Sequence, residues 1–112
     1  MIETDAPIVI YVTFDDMAVA ERTARAVVDQ RLGACVNILP GAVSFYEWEG
    51  RVERAEEIVM FIKSLKKMEQ PLIELITEMH TYDEPAIVAF EVVGGAPSYL
   101  AWARGQVGPH SQ

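Results

Sequence analysis

Apolar positions change their period along this chain, and each change marks a new predicted element. Residues 7–14 form a continuous β-branched and aromatic run, PIVIYVTF, which predicts a buried strand. The next apolar residues follow the i, i+4, i+7, i+8 spacing of an amphipathic helix, at Ala20, Ala24, Val27 and Val28. Asp15 or Asp16 is suited to cap this helix, and Gly33 falls where a left-handed C-cap is expected.

The rest of the chain predicts a second strand, a hairpin, a second helix, a last strand and a short helix. Pro40-Gly41 is a turn signal that ends the second strand, and Glu49-Gly50 forms the tip of the hairpin. Pro71 lies in the first turns of the second helix, where proline is tolerated. These elements occupy residues 34–39, 42–48 with 51–64, about 67–79, 86–93 and 97–104, with Gly105 ending the last helix.

The order of these elements is βαββαβ with a short C-terminal helix, the ferredoxin-like arrangement of the α+β class. Residues 1–112 are expected to form one domain, with flexible termini at 1–6 and 106–112. Right-handed crossovers place the two main helices on one face of the sheet.

Three predicted strands have apolar residues on both of their faces, at residues 8–12, 58–62 and 87–90. A sheet with one solvated face alternates apolar and polar residues instead. The face without helices therefore needs a cover. The simplest cover is another copy of the chain, so the pattern predicts a homo-oligomer.

The formal charge of −8 argues against binding to nucleic acid or to anionic membranes, which depends on clustered Lys and Arg. One cysteine cannot form an internal disulfide. Met1 is not followed by the basic and apolar segments of a signal peptide, and no apolar run has the length of a membrane span. These features predict a soluble cytoplasmic protein.

Two side chains are candidates for metal chemistry. Cys35 lies in an apolar strand, where it is either a small buried hydrophobe or a soft ligand for copper(I). His80 follows the second helix, where it is either a C-terminal cation or part of a polar site with Tyr82, Asp83 and Glu84. Their spacing matches no closed zinc motif.

The remaining polar positions allow both a structural and a functional interpretation. The hairpin carboxylates, Glu57 among them, are typical of a solvated strand edge and also suit loose cation binding. Lys63 either extends to solvent or meets Glu57 or an anionic ligand. Trp48 and Trp102 are expected to be packing residues, and Trp is also common at contacts between copies of a chain. No nucleophile, base or phosphate-loop pattern predicts an enzyme.

Several segments, in this order and spacing, resemble those of the CutA proteins, the divalent-cation tolerance family. They are Ala34-Cys35, Leu39-Pro40-Gly41, Ser44 with Tyr46, Trp48-Glu49-Gly50, Glu57 before Lys63-Ser64, His80-x-Tyr82-x-x-Pro85 and Tyr99-Leu100-x-Trp102. One difference is Thr81, where the family usually has proline between its His and Tyr. Its absence removes a backbone restraint next to His80.

The resemblance implies a ferredoxin-like protomer in a homotrimer, similar in architecture to PII signalling proteins. It also implies tolerance of divalent metals and copper binding, with Cys35 and His80 as the ligands. A cleft between subunits would then collect the positions that match the family's pocket, which are Trp48, Glu57, Lys63, His80, Tyr82 and Trp102.

Three functions follow as hypotheses. The first is a trimeric, non-catalytic metal-responsive protein that binds copper or another divalent cation through Cys35 and His80. The second is a PII-like sensor that holds an anionic metabolite through Lys63 and His80, an inference by analogy of fold. The third is a stable trimeric scaffold without a ligand.

Overall fold

The structure is a computed structural model that describes residues 5–109. It contains four strands and three α-helices in these residues. In chain order they are β1 (Pro7–Phe14), α1 (Met17–Asp29), β2 (Cys35–Trp48), β3 (Arg51–Leu65), α2 (Glu69–Met79), β4 (Val88–Glu91) and α3 (Pro97–Gln106). A 3₁₀ turn, Lys66–Met68, precedes α2. None of these helices is long and apolar enough to cross a membrane.

The four strands form one antiparallel sheet in the order β2-β3-β1-β4. Helices α1 and α2 pack on one face of this sheet, called the inner face here. Its core residues are Ile8, Ile10, Val12, Phe14, Met60 and Ile62 from the sheet, with Val19, Ala20 and Val27 from α1 and Leu72 and Ile76 from α2. This arrangement confirms the predicted α+β, ferredoxin-like fold.

The opposite, outer face of the sheet is also apolar. Its side chains alternate with those of the inner core and include Val9, Tyr11, Val59, Phe61, Val88 and Phe90. The Tyr11 ring lies 5.6 Å from the Phe61 ring and 6.2 Å from the Phe90 ring, measured between centroids. Phe90 remains 51% exposed. The prediction of apolar residues on both faces is therefore confirmed, and assembly with further copies stays a prediction.

The second strand does not end at Pro40-Gly41, as the sequence predicted. Residues 35–48 form one strand, and its register against β3 shifts between Leu39 and Ala42, where two residues face the single residue Ile58. Two residues opposite one make this a β-bulge and not a chain reversal, and Gly41 takes the positive φ of +89° there. Pro40 is tolerated because it lies in the bulge of an edge strand and has no paired residue on β3.

The end of α1 also differs from the prediction. The left-handed residue there is Arg31, with φ of +59°, and not Gly33. Gly33 is required for a close approach instead, because a Cβ at this position would lie 2.7 Å from Ile62 Cγ2 and 2.8 Å from Val27 Cγ1. Val28, predicted to face the core, is 46% exposed beside β2. Asp16 caps α1 as expected, accepting hydrogen bonds from the Ala18 and Val19 amides.

The last two elements have somewhat different bounds from the predicted ones. Strand β4 is restricted to Val88–Glu91, and α3 continues through Gly105 to Gln106. The Arg31 guanidinium donates hydrogen bonds to the carbonyls of Gly105 and Gly108, which stabilises this helix end.

The termini were expected to be flexible over residues 1–6 and 106–112. Residues 1–4 and 110–112 lie outside the described residues, so the expectation stays a prediction for them. Among the others, Val107 is 6% exposed in a small cluster with Ala34, Leu65 and Ala103. The Gly108 amide donates to the Arg31 carbonyl, so the chain is packed up to this point.

Candidate functional site

His80 lies where α2 ends, and both of its ring nitrogens have protein partners. Nε2 is 2.7 Å from the Thr13 carbonyl oxygen, and Nδ1 accepts a hydrogen bond from the Tyr82 amide at 3.0 Å. A carbonyl can only accept, so Nε2 carries the proton and the ring is the neutral Nε2–H tautomer. The ring also stacks on Phe14 at 4.4 Å, with an angle of 18° between the planes. His80 is thus fixed on the inner side of the sheet.

Tyr82 connects the loop after α2 to the base of the β2-β3 hairpin. Its hydroxyl donates to Glu57 Oε2 at 2.8 Å, and the Ser44 hydroxyl donates to Glu57 Oε1 at 2.6 Å. Burial raises the pKa of the Tyr82 phenol, and the hydrogen bond to Glu57 and the negative charges of Glu57 and Asp15 raise it further. The phenol therefore remains protonated and holds the Glu57 carboxylate in place.

Thr81, where the family usually has proline, contributes a restraint of a different kind. Its hydroxyl donates a hydrogen bond of 2.9 Å to Asp15 Oδ1, at the end of β1. A side-chain contact thus links this loop to β1 at the position where the usual proline would have restricted the backbone.

Cys35 begins β2, and its Cα pairs with that of Lys63 on β3. The thiol is free and partly exposed. Its neighbour Val36 pairs with the core residue Ile62, so by alternation Cys35 and Lys63 project from the outer face. The sequence left open whether Cys35 is a small buried hydrophobe or a soft metal ligand, and the partial exposure of the thiol is compatible with both.

Within one chain, the structure does not bring Cys35 and His80 together. His80 bonds to Thr13, whose partner on β3 is Val59, four residues before Lys63. Four residues of strand span about 13 Å, and the two side chains lie on opposite faces of the sheet. Residues 5–109 hold no group of three His, Cys, Asp or Glu side chains arranged for a metal. The predicted ligands therefore do not form a metal centre inside a single chain.

The other predicted pocket residues fall into separate groups. Glu57 and Tyr82 meet at the His80 end of the sheet. Lys63 lies about 20 Å further along β3 by strand length, where its Nζ is 5.5 Å from the Tyr99 ring centroid and not near Glu57. Trp102 belongs to this second group, with its ring 5.7 Å from that of Tyr99. Trp48 is 62% exposed near the hairpin tip.

Several contributors were not predicted as site residues. Ser44 and Tyr99 were part of the resemblance, but their contacts with Glu57 and Lys63 depend on the tertiary fold. Thr13 acts through its backbone carbonyl, for which side-chain identity gives no signal. Asp15 was one of two residues suited to cap α1; Asp16 forms the cap, and Asp15 accepts a hydrogen bond from Thr81.

Comparison with known proteins gives a consistent result over almost the entire chain. A family model described as CutA1 divalent ion tolerance protein matches residues 8–106. The divalent-cation tolerance protein CutA of Pectobacterium atrosepticum is 42% identical over 95 residues, which cover 85% of this chain and 86% of that protein. The chloroplastic protein CutA of Arabidopsis thaliana is 38% identical over 102 residues, covering 91% of this chain. The chain spans only 56% of that plant protein and 52% of mouse CutA.

Solved structures agree with these sequence matches. The divalent cation tolerance protein of Thermus thermophilus superposes with a TM-score of 0.88 at 36% identity, over 91% of this chain and 99% of that one. CutA1 of Oryza sativa gives a TM-score of 0.89 at 35% identity, over 95% of this chain and 97% of that one. Sequence and fold thus point to the same relatives.

Proposed function

Because the chain belongs to the CutA1 divalent ion tolerance family, we propose that it acts in divalent metal tolerance as a non-catalytic, metal-binding homotrimer. The observation that carries this proposal is the family match over residues 8–106, which includes every strand and helix around the site except the first residue of β1. The bacterial relatives are named for divalent-cation tolerance. The net charge of −8 favours the approach of cations.

The outer face of the sheet supports the homotrimer. Aromatic residues there are packed against each other yet remain accessible, and Phe90 alone is 51% exposed. Contiguous exposed apolar surface of this kind is typical of an interface between protein chains. The groups at His80, at Lys63 and at the hairpin tip lie apart within one chain. In such an assembly, groups from different subunits come together at the contacts between them.

For the metal itself, the two predicted ligands differ in accessibility. The Cys35 thiol is partly exposed, and thiolate is the donor that copper(I) prefers. His80 has to release either the Thr13 carbonyl or the Tyr82 amide before a ring nitrogen can bind a metal. We therefore assign Cys35 as the main copper ligand and His80 as a secondary one, with further donors coming from neighbouring subunits.

Copper(I) titration of the full chain tests this assignment. Replacing Cys35→Ser should abolish the tightest binding, because a hydroxyl is a poor ligand for a soft ion. His80→Gln should weaken binding less, and melting curves would show whether the fold is kept. Unchanged copper affinity in both variants would contradict the ligand assignment, and sedimentation of the same samples reports the oligomer separately.

The cytoplasmic location predicted from the sequence is part of this proposal. The names of the relatives give different locations. The Arabidopsis thaliana protein is called chloroplastic, and the Archaeoglobus fulgidus structure is described as periplasmic. Fractionation of cells that express the full chain would test the location directly.

A further inference from the structure

A small cavity lies at the Lys63 end of the sheet, between β1, β3 and α3. Its volume is about 190 Å³, and its walls are almost entirely apolar. Val9 and Ile8 form the β1 side, and Leu100 and Ala103 form the α3 side. Gly94 and Gly95 complete it from the loop before α3, and Gly95 lies beside Leu100. The cavity is distinct from the His80 and Glu57 group.

Among the described residues that line this cavity, Lys63 is the one that carries a charge. Within residues 5–109 no carboxylate forms an ion pair with it, although the chain is strongly acidic. Its ammonium lies over the Tyr99 ring, at 5.5 Å from the centroid. Lys63 is half-buried, and an anion that reaches its ammonium would form a charge pair without displacing a carboxylate.

From this combination, we infer that the cavity binds a small monocarboxylate with a short apolar body. The carboxylate pairs with Lys63, and the apolar body fills the space between Val9, Leu100 and Ala103. At roughly 30 Å³ for each water-sized group, the cavity has room for about six such groups. This is well below the size of pockets for nucleotides or drug-sized ligands, which begin at about 300 Å³.

The charge pattern of the cavity also selects against other ligand classes. An amine of the same shape would bring a second cation next to Lys63. A dicarboxylate or a phosphate ester would place charge against the apolar walls, where burial without a partner is costly. This inference goes beyond metal tolerance and does not depend on Cys35 or His80.

Hexanoate is the probe, and the methyl resonances of Leu100 and Ala103 in the full chain are the readout. We expect saturable shifts of these methyls in the millimolar range of hexanoate. Hexanamide has the same shape without the charge and should bind at least about tenfold more weakly, because a charge-assisted hydrogen bond is lost. Hexylamine should not bind.

Three lysine variants separate the charge of Lys63 from a general effect. Lys63→Gln should weaken hexanoate binding at least about tenfold, and Lys63→Arg should keep most of it. Lys67→Gln is the matched control, since that ammonium pairs with Asp5 at 3.2 Å and does not line the cavity. Three outcomes would each overturn the inference. They are the absence of saturable shifts in the wild type, equal binding of hexanoate and hexanamide, and equal loss of hexanoate binding in Lys63→Gln and Lys67→Gln. The first two comparisons use only the wild-type chain, so they hold even if a variant fails to fold.

Discussion

The two faces of the sheet are built from the same strands, yet only one is completed within a single chain. On β3, Met60 and Ile62 of the inner face are fully buried under α1 and α2. Phe61, between them, packs against the Tyr11 ring on β1 and remains partly accessible. Neighbouring residues of β3 therefore differ in how they are covered: the inner ones lie under the helices, and the outer ones keep accessible surface.

The polar groups show the same contrast at the two ends of β3. At the Glu57 end, the described groups satisfy one another, with both His80 nitrogens, the Tyr82 hydroxyl and both Glu57 oxygens in hydrogen bonds. At the Lys63 end, the ammonium lies over an aromatic ring, and the Lys63 side chain helps to line an apolar cavity. Unmet interactions therefore concentrate on the outer face and at the Lys63 end, which is where a binding partner has most to contribute.

The largest effect on the free energy of unfolding is expected from a substitution in the buried core of the inner face. Ile62→Ala removes a fully buried side chain beneath the helices, and it should lower the free energy of unfolding by about 2–5 kcal/mol in urea titrations. Val93→Ala, at a fully exposed position, is the control and should change it by less than about 0.5 kcal/mol. A loss below about 1 kcal/mol for Ile62→Ala would mean that the inner face is not the main core.

A substitution on the outer face should affect assembly more than the folding of each chain. Phe90→Glu places a charge on the exposed aromatic surface, and a buried unpaired charge is strongly unfavourable in an interface. At micromolar concentration we expect the wild type to sediment with the mass of three chains and the variant with the mass of one. Val93→Glu, away from this surface in the loop after β4, should leave the trimer intact. A wild type that sediments as a single chain would remove the basis for the contrast between the faces.

A substitution at Gly33 tests how tightly the core of the inner face is packed. Gly33→Ala would put a Cβ 2.7 Å from Ile62 Cγ2, so overpacking should cost about 1–3 kcal/mol in the free energy of unfolding. Gly94→Ala is the matched control, because no atom lies within 4 Å of a Cβ there. It should be neutral or slightly stabilising, by up to about 1 kcal/mol. Equal melting temperatures for the two variants would show that the core around Gly33 relaxes freely.

Much of this fold could be predicted because the signals are local. The continuous apolar run of β1 gives its bounds directly, and the i, i+4 pattern gives both main helices. Pro40-Gly41 was misinterpreted because the same two residues suit a turn and a bulge, and only the pairing with β3 decides between them. The site was harder, since His80 meets a carbonyl 67 residues away and Tyr82 meets a carboxylate 25 residues away. Such contacts depend on strand register, which no local pattern encodes.

The smallest effect on the free energy of unfolding is expected from removing the hydrogen bond between Tyr82 and Glu57, and this effect depends on pH. Tyr82→Phe removes the hydroxyl that donates to Glu57, which should cost about 1 kcal/mol in the free energy of unfolding near neutral pH. The pKa of Tyr82 is raised in the folded chain, so its contribution is complete below the ordinary tyrosine pKa of about 10. Above that pH the unfolded chain loses the phenol proton while the folded chain keeps it, so the stability of the wild type falls. Urea titrations at about pH 8 and about pH 11 should therefore show a smaller difference between wild type and Tyr82→Phe at the higher pH. A difference that grows with pH would mean that Glu57 does not hold Tyr82 in its protonated form.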